Sequence, residues 1–181
     1  TNYNNNTLQT FNEPFRHSVA TSLIDSTDTS ILNSTATVAI SKFFTPELST
    51  ESSYGINYGN KIYHPHGGHN RNAGGVVSSS GFYLTANTNY TESDLVSREY
   101  FLDDDGDGNI RLYYLSELTR IYNAVFAGSI DYHTGIISLF PMNFLSVSNV
   151  NGVSSTKVLV TAIPDSYDIV PVRNQILELD L

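Results

Sequence analysis

Short runs of alternating apolar and polar residues follow one another along the chain, separated by bends rich in Gly, Asn or Asp. Alternation with a period of two indicates strands that bury one face. The clearest run, STATVAISKFF at residues 34–44, predicts a strand that ends at Thr45-Pro46. No segment has the apolar spacing of a convincing amphipathic helix. Residues 8–24, which contain Pro14, are interpreted as short strands or an extended arm.

The bends of the second half predict consecutive hairpins. One bend lies within FLDDDGDGNI (residues 101–110), a second at residues 132–135, and a third at Asn151-Gly152, a pair that tolerates positive φ. Only residues 92–96 offer a possible helical turn. The predicted fold is therefore all-β, a hairpin-rich antiparallel sandwich or partly open barrel with little helix.

The pattern divides the chain into three predicted segments. Residues 1–10, which include the polar run TNYNNN, are expected to form a flexible arm or linker. Residues 11–86 are expected to form a first β-subdomain with a His/Gly-rich loop, and residues 87–181 a second one of consecutive hairpins. The chain begins at Thr1 and its one methionine is Met142, so we expect a piece of a longer polypeptide or a processed product.

Composition and charge exclude several functional classes. The net charge is −9 and the nine Lys and Arg are scattered singly, which argues against binding to nucleic acid or to anionic membranes. The absence of cysteine excludes disulfides, thiolate metal sites and a cysteine nucleophile. No apolar run approaches the ~18 residues of a membrane-spanning helix.

The acidic bend raises the question of calcium binding. Asp103, Asp105 and Asp107 alternate and are followed by Gly108, as at the start of a helix-loop-helix calcium loop. However, the twelfth position is Tyr114 instead of a bidentate glutamate, and the flanks have the pattern of strands. A structural turn is therefore preferred over a calcium site, with weak cation binding left open.

A second candidate metal site is the loop HPHGGHN. His64, His66 and His69 provide three imidazoles within six residues, enough to consider zinc or nickel. Glycines surround them and no carboxylate lies within the loop, so a flexible or contact-making loop is the preferred interpretation. We therefore predict no metal ion and no other cofactor.

Catalytic motifs are absent from the sequence. There is no nucleophile elbow, phosphate loop, dinucleotide fingerprint or zinc-protease pair. Carboxylates such as Glu99 and Glu117 could be paired as in a glycosidase, but any chain with 18 carboxylates offers such pairs. The chain is predicted not to be an enzyme and to have no small-molecule substrate. Two alternatives stay open: an extracellular calcium-stabilised adhesin-type module and, less favoured, a carbohydrate-binding or carbohydrate-hydrolysing domain.

An ordered series of phrases resembles a known family. The phrases are SSYGINYGNKIYHPHGGHN, GGVVSSSGFYL, LDDDGDGNIRLYYLS, AGSIDYHTGIISL and VLVTAIPDSYDIVPVRNQILELD. From about Phe11 onward the series resembles the C-terminal part of the baseplate wedge subunit of T4-like contractile-tailed phages. The most specific phrase is DIVPVRNQILE, residues 168–178.

This resemblance implies a non-enzymatic structural subunit, present in two copies per wedge, in the inner ring of the baseplate. The implied partners are a second copy and other wedge proteins, and the implied location is the virion tail baseplate, assembled in the host cytoplasm. Proline cannot donate to a β-ladder, so the tail is expected to form an edge strand near a subunit contact. The expected contact residues are Ile169, Pro171, Val172 and Arg173, unless Arg173 pairs internally with Asp168 or Glu178.

Overall fold

A computed structural model describes residue 8 and residues 10–32, 34–71, 74–85, 90, 98–150, 152–171, 176, 177 and 179. These residues contain one α-helix and eleven strands. The helix is α1 (His17–Asp25), and the strands are β1 (Ile40–Phe44), β2 (Ser52–Asn57), β3 (Val77–Ser79), β4 (Phe82–Leu84), β5 (Tyr100–Asp104), β6 (Asn109–Ser116), β7 (Thr119–Tyr122), β8 (Gly128–Asp131), β9 (Ile136–Met142), β10 (Phe144–Val147) and β11 (Val158–Ala162).

All the strands belong to one antiparallel sheet. Its main order is β1-β11-β3-β5-β6-β8-β9-β2, while β4 joins β5 to β10, and β7 is added to β6. The two ends of this order approach each other, since the rings of Phe44 on β1 and Tyr54 on β2 lie 4.8 Å apart. The sheet is therefore a nearly closed, barrel-like structure, and the all-β prediction is confirmed with the barrel as its form.

The interior of this sheet holds the main hydrophobic core. Strand residues that alternate along β5 and β6, such as Leu102 and Leu112, face each other in register and are almost fully buried. Tyr58 is also buried, and its hydroxyl donates to the Val160 carbonyl oxygen at 2.7 Å. Residues 11–86 and 87–181, predicted as separate subdomains, both contribute strands to this sheet and side chains to this core.

The predicted hairpins are present where the structure describes them. Strands β5 and β6 flank the acidic bend. Strands β8 and β9 flank residues 132–135, where Gly135 has a φ of +69° and its amide donates to Asp131. Val150 and Val153 exchange both backbone hydrogen bonds at 2.9 Å, although Asn151 itself lies outside the described residues. The possible helical turn at residues 92–96 also lies outside them.

Two sequence predictions about the first 44 residues are wrong. Residues 17–25, interpreted as extended, form α1. The strand predicted at residues 34–44 begins only at Ile40, because its partner β11 ends at Ala162, which pairs with Ile40. The sequence does place Val19, Leu23 and Ile24 at helical spacing, but this run is short and follows Pro14, which favoured the extended interpretation.

The first turn of α1 is held by a residue distant in sequence. Its N-cap residue, Arg16, makes no capping hydrogen bond through its side chain. Instead, the Asp168 carboxylate accepts a hydrogen bond from the His17 amide at 3.0 Å, which satisfies one of the free N–H groups of the first turn. No helix among the described residues is long and apolar enough to cross a membrane.

Candidate functional site

The acidic bend is the tip of the β5–β6 hairpin. Gly106 and Gly108 adopt positive φ values of +78° and +97°, which glycine allows without steric cost. The hairpin pairs Asp103 with Arg111 and Asp104 with Ile110. Because successive strand residues point to opposite faces, the side chains of Asp103 and Asp104 lie on different sides of the sheet. Both are nevertheless completely buried.

Asp103 is the acceptor of a buried ionic network. Its Oδ1 accepts a hydrogen bond from Arg111 Nε at 2.8 Å, and its Oδ2 accepts one from Arg120 Nη1 at 2.6 Å. The Tyr122 hydroxyl donates to the same Oδ2 at 2.8 Å. Burial raises the pKa of the Asp103 carboxyl above its ordinary value, and the hydrogen bonds from Arg111, Tyr122 and Arg120 oppose that shift. Both carboxylate oxygens are therefore occupied by the protein's own donors.

Asp104 is held equally tightly on the inner face. It accepts hydrogen bonds from the Val77 amide at 2.9 Å, from Asn70 Nδ2 at 2.7 Å and from the Tyr132 hydroxyl at 2.7 Å. A Cβ atom at Gly75 would lie 1.9 Å from Asp104 Oδ1, so only glycine leaves room for this carboxylate. Burial, together with the Asp104 carboxylate, raises the pKa of the Tyr132 hydroxyl.

Asp105 and Asp107 stabilise the bend from its tip. Asp105 Oδ1 accepts hydrogen bonds from the amides of Asp107 and Asn109, and its Oδ2 accepts one from Asn109 Nδ2 at 2.7 Å. Burial raises the pKa of the Asp105 carboxyl, but these hydrogen bonds outweigh burial and bring the pKa below its ordinary value. Asp107 forms an exposed ion pair with Arg71 at 2.9 Å.

The histidine loop covers the acidic bend. His64 stacks on Tyr132 with ring centroids 4.2 Å apart, and its Nε2 lies 2.9 Å from the Gly106 carbonyl oxygen. The rings of His64 and His69 are 5.2 Å apart, and those of His66 and His69 are 6.0 Å apart. Within the described part of the chain, no group of three or more His, Cys, Asp or Glu side chains is arranged to hold a metal ion.

The two candidate metal motifs thus meet in one structural unit that the sequence did not predict. The partners missed at the sequence level are Asn70, Arg111, Arg120, Tyr122 and Tyr132. Of these partners, only Arg111 could be predicted from the sequence, because it lies opposite Asp103 in a two-strand hairpin. The arrangement can fix the hairpin and the loop rigidly against each other.

We predict that calcium does not change the stability of this protein. The protein's own donors already contact the bend carboxylates, and an ion would have to displace them. A site of micromolar affinity would add about 4 kcal/mol at millimolar calcium and raise the melting temperature by roughly 10 °C. We expect the melting temperatures in EDTA and in 1 mM calcium to agree within about 2 °C by calorimetry. A larger rise that is lost in Asp105→Ala would establish a calcium site.

The tail segment contacts the N-terminal segment. Phe15 and Ile169 exchange both backbone hydrogen bonds, at 2.9 and 3.0 Å, and both side chains are buried in a small second core. Ile169 thus forms a single antiparallel bridge with Phe15, and the edge strand expected for the tail, much of which lies outside the described residues, stays a prediction. Pro171 is half-buried, and Val170 and Ile176 of the same tail segment are exposed.

Two of the predicted contact residues, Val172 and Arg173, lie outside the described residues. Of the two internal partners considered for Arg173, Asp168 forms an ion pair with Arg16 at 3.0 Å, and Glu178 lies outside the described residues. The hydrogen bonds from Arg16 and from the His17 amide bring the pKa of Asp168 below its ordinary value. A subunit contact at Ile169, Pro171, Val172 and Arg173 stays a prediction.

Helix α1 carries an exposed apolar surface. None of its nine residues is buried, and Val19, Leu23 and Ile24 are 43–48% exposed. The side that faces the protein is formed instead by His17, Ala20 and Thr21, which are small or polar. Such an orientation leaves the helix's hydrophobic side chains available for another molecule.

The segment that contains α1 matches a family of known proteins. Residues 1–42 match the family model described as "Baseplate structural protein gp6, C-terminal domain III". The match supports a structural role in a phage baseplate. It includes α1 and ends within β1, upstream of the acidic bend and of all five phrases that carried the resemblance to baseplate wedge subunits. No curated protein matches the chain.

Proposed function

We propose that this chain is a structural subunit of the inner baseplate ring of a T4-like contractile-tailed phage, part of the two-copy wedge protein. Its role is to contact a second copy of itself and other wedge proteins, in the virion tail, after assembly in the host cytoplasm. The observation that carries the proposal is that the segment matching a baseplate structural domain contains a helix with no buried residue.

The geometry of the acidic bend supports a structural role over a catalytic one. The carboxylates of Asp103, Asp104 and Asp105 all accept hydrogen bonds from neighbouring protein groups. A general acid or base needs access to a substrate proton, and the first two of these side chains are completely buried. These acids therefore serve the rigidity of the hairpin, which is useful in a subunit that bears load.

The proposal predicts that the apolar surface of α1 is needed for assembly. Replacing Val19 and Leu23 together with aspartate places two charges where a wedge protein with an apolar surface would pack. We expect at least about a tenfold loss of assembled baseplates, counted by electron microscopy after expression of the variant from the phage genome. The melting temperature of the purified variant is expected to stay near that of the wild type, because both side chains are exposed.

The matched control is the Ser18→Asp/Ser22→Asp variant. It adds the same two charges to the same helix at exposed positions that are already polar. We expect this control to assemble as the wild type does. Wild-type assembly by the Val19→Asp/Leu23→Asp variant would contradict the assembly role of α1. An antibody against the chain that fails to label the baseplate of intact virions would contradict the proposed function as a whole.

A further inference from the structure

The β6–β7 hairpin ends in a strained two-residue turn. Ser116 pairs with Thr119, and the two residues between them, Glu117 and Leu118, have positive φ values of +48° and +68°. Positive φ at both central positions is the geometry of a type I′ turn, which normally uses Asn-Gly. Left-handed backbone costs a residue with a side chain roughly 1–2 kcal/mol. Such strain at a non-glycine pair is a reason to look for a function.

The strained turn places an apolar side chain in solvent. Leu118 is 93% exposed, and Leu115 and Ile121 on the two strands of the same hairpin are 48% and 38% exposed. Within the described residues, β7 pairs with β6 alone, so β7 lies off the main order of the sheet to which β6 belongs. The strained turn therefore exposes Leu118, which does not contribute to the hydrophobic core of its own chain.

A cleft lies beside the end of β6 that leads into this turn. The pairing of β5 with β6 ends at Tyr100 and Tyr114, and beyond that pair the two segments separate. The resulting open cleft has a volume of about 420 Å³ and is lined by Arg98, Glu99, Phe101, Tyr114, Leu115 and Ser116. The Arg98 guanidinium lies 4.2 Å from the centroid of the Tyr114 ring. The cleft thus combines aromatic side chains with one cationic residue, Arg98, and one anionic residue, Glu99.

We propose that a second copy of this chain binds here, with Leu118 of each copy seated in the cleft of the other. This inference rests on the proposed structural function and assigns the self-contact to a surface. A protrusion and a recess on one hairpin are self-complementary, as a two-fold contact requires. Glu117 is next to Leu118 in the sequence and would face Arg98 of the partner copy. This pair would place opposite charges across the contact, although each chain has a net charge of −9.

The first test measures self-association of the purified 181-residue chain by sedimentation equilibrium. We expect a wild-type dimer at micromolar concentration and a dissociation constant raised at least about tenfold by Leu118→Asn. Asparagine tolerates positive φ, so the variant is expected to unfold at the same or a higher temperature than the wild type. The matched control, Leu32→Asn, changes a leucine that is 94% exposed elsewhere and should leave the dissociation constant unchanged.

The second test reverses the charges of the contact. Arg98→Glu and Glu117→Arg should each weaken the dimer, because each places like charges together. The double variant Arg98→Glu/Glu117→Arg should regain most of the lost affinity. The inference would be overturned if the wild type were monomeric or if Leu118→Asn kept the wild-type dissociation constant. It would also be overturned if Leu32→Asn weakened the dimer equally, or if the double variant did not regain affinity. The α1 variants test the baseplate role separately, since they are expected to leave this dimer unchanged.

Discussion

Replacing Asp103 with asparagine is expected to lower the free energy of unfolding by about 3–5 kcal/mol. The change leaves Arg111, which is 7% exposed, without the carboxylate that accepts its Nε hydrogen bond. It also leaves Arg120 and Tyr122 with a weaker shared acceptor. Since a domain is stable by about 5–15 kcal/mol, this loss is a large fraction of the total.

The measurement is chemical denaturation at neutral pH, with Asp107→Asn as the matched control. Asp107 belongs to the same hairpin, and its ion pair with Arg71 is exposed, with 39% and 72% of the two side chains accessible. Exposed ion pairs contribute about 0–1 kcal/mol, so the control should be nearly as stable as the wild type. Equal losses in the two variants would show that burial of the Asp103 network does not matter for stability.

Replacing Phe144 with alanine is expected to lower the free energy of unfolding by about 3–5 kcal/mol. Phe144 has no exposed surface and lies between the two ends of the sheet, with its ring 5.9 Å from Phe44 on β1 and 5.6 Å from Tyr54 on β2. It also contacts Phe82 on β4 at 5.0 Å. Its removal would leave a cavity where the barrel closes, and the edge-to-face contacts of these rings would be lost.

The matched control is Phe140→Ala on β9, the strand that precedes β10 and Phe144 in the sequence. Phe140 is 44% exposed and takes no part in the aromatic cluster at the closure. We expect that control to cost about 1 kcal/mol or less in the same denaturation experiment. A loss of similar size in both variants would mean that the aromatic cluster does not hold the two ends of the sheet together.

These two predictions concern two separate clusters of buried side chains that stabilise the fold. The Asp103 network joins β5 to β6 and β7 through Arg111, Arg120 and Tyr122, while Phe144 contacts the edges β1 and β2 through the rings of Phe44 and Tyr54. Neither uses the surfaces proposed for assembly, which are the apolar side of α1 and the tip of the β6–β7 hairpin. Stability and association can therefore be changed by separate substitutions in this chain.

The pattern along the chain was enough to predict an all-β fold and the positions of the local turns. Alternation along β5 and β6, the Asp-Gly bend between them and the bend before Gly135 were all readable, because hairpin pairing depends on residues close in sequence. The preference for a structural turn over a calcium loop also rested on local grounds, since Tyr114 occupies the place of the glutamate and the flanks have the pattern of strands.

The positions of the charged side chains and of the helix depend on contacts that form only in the folded protein. Asp103 and Asp104 look like turn acids in the sequence, yet both are completely buried, because Arg120 and Tyr132 reach them from other hairpins. Helix α1 begins where Asp168, 151 residues away, accepts the His17 amide. Contacts of such long range leave no periodic signal in the chain, so hydrophobic patterning could predict the strands but not these partners.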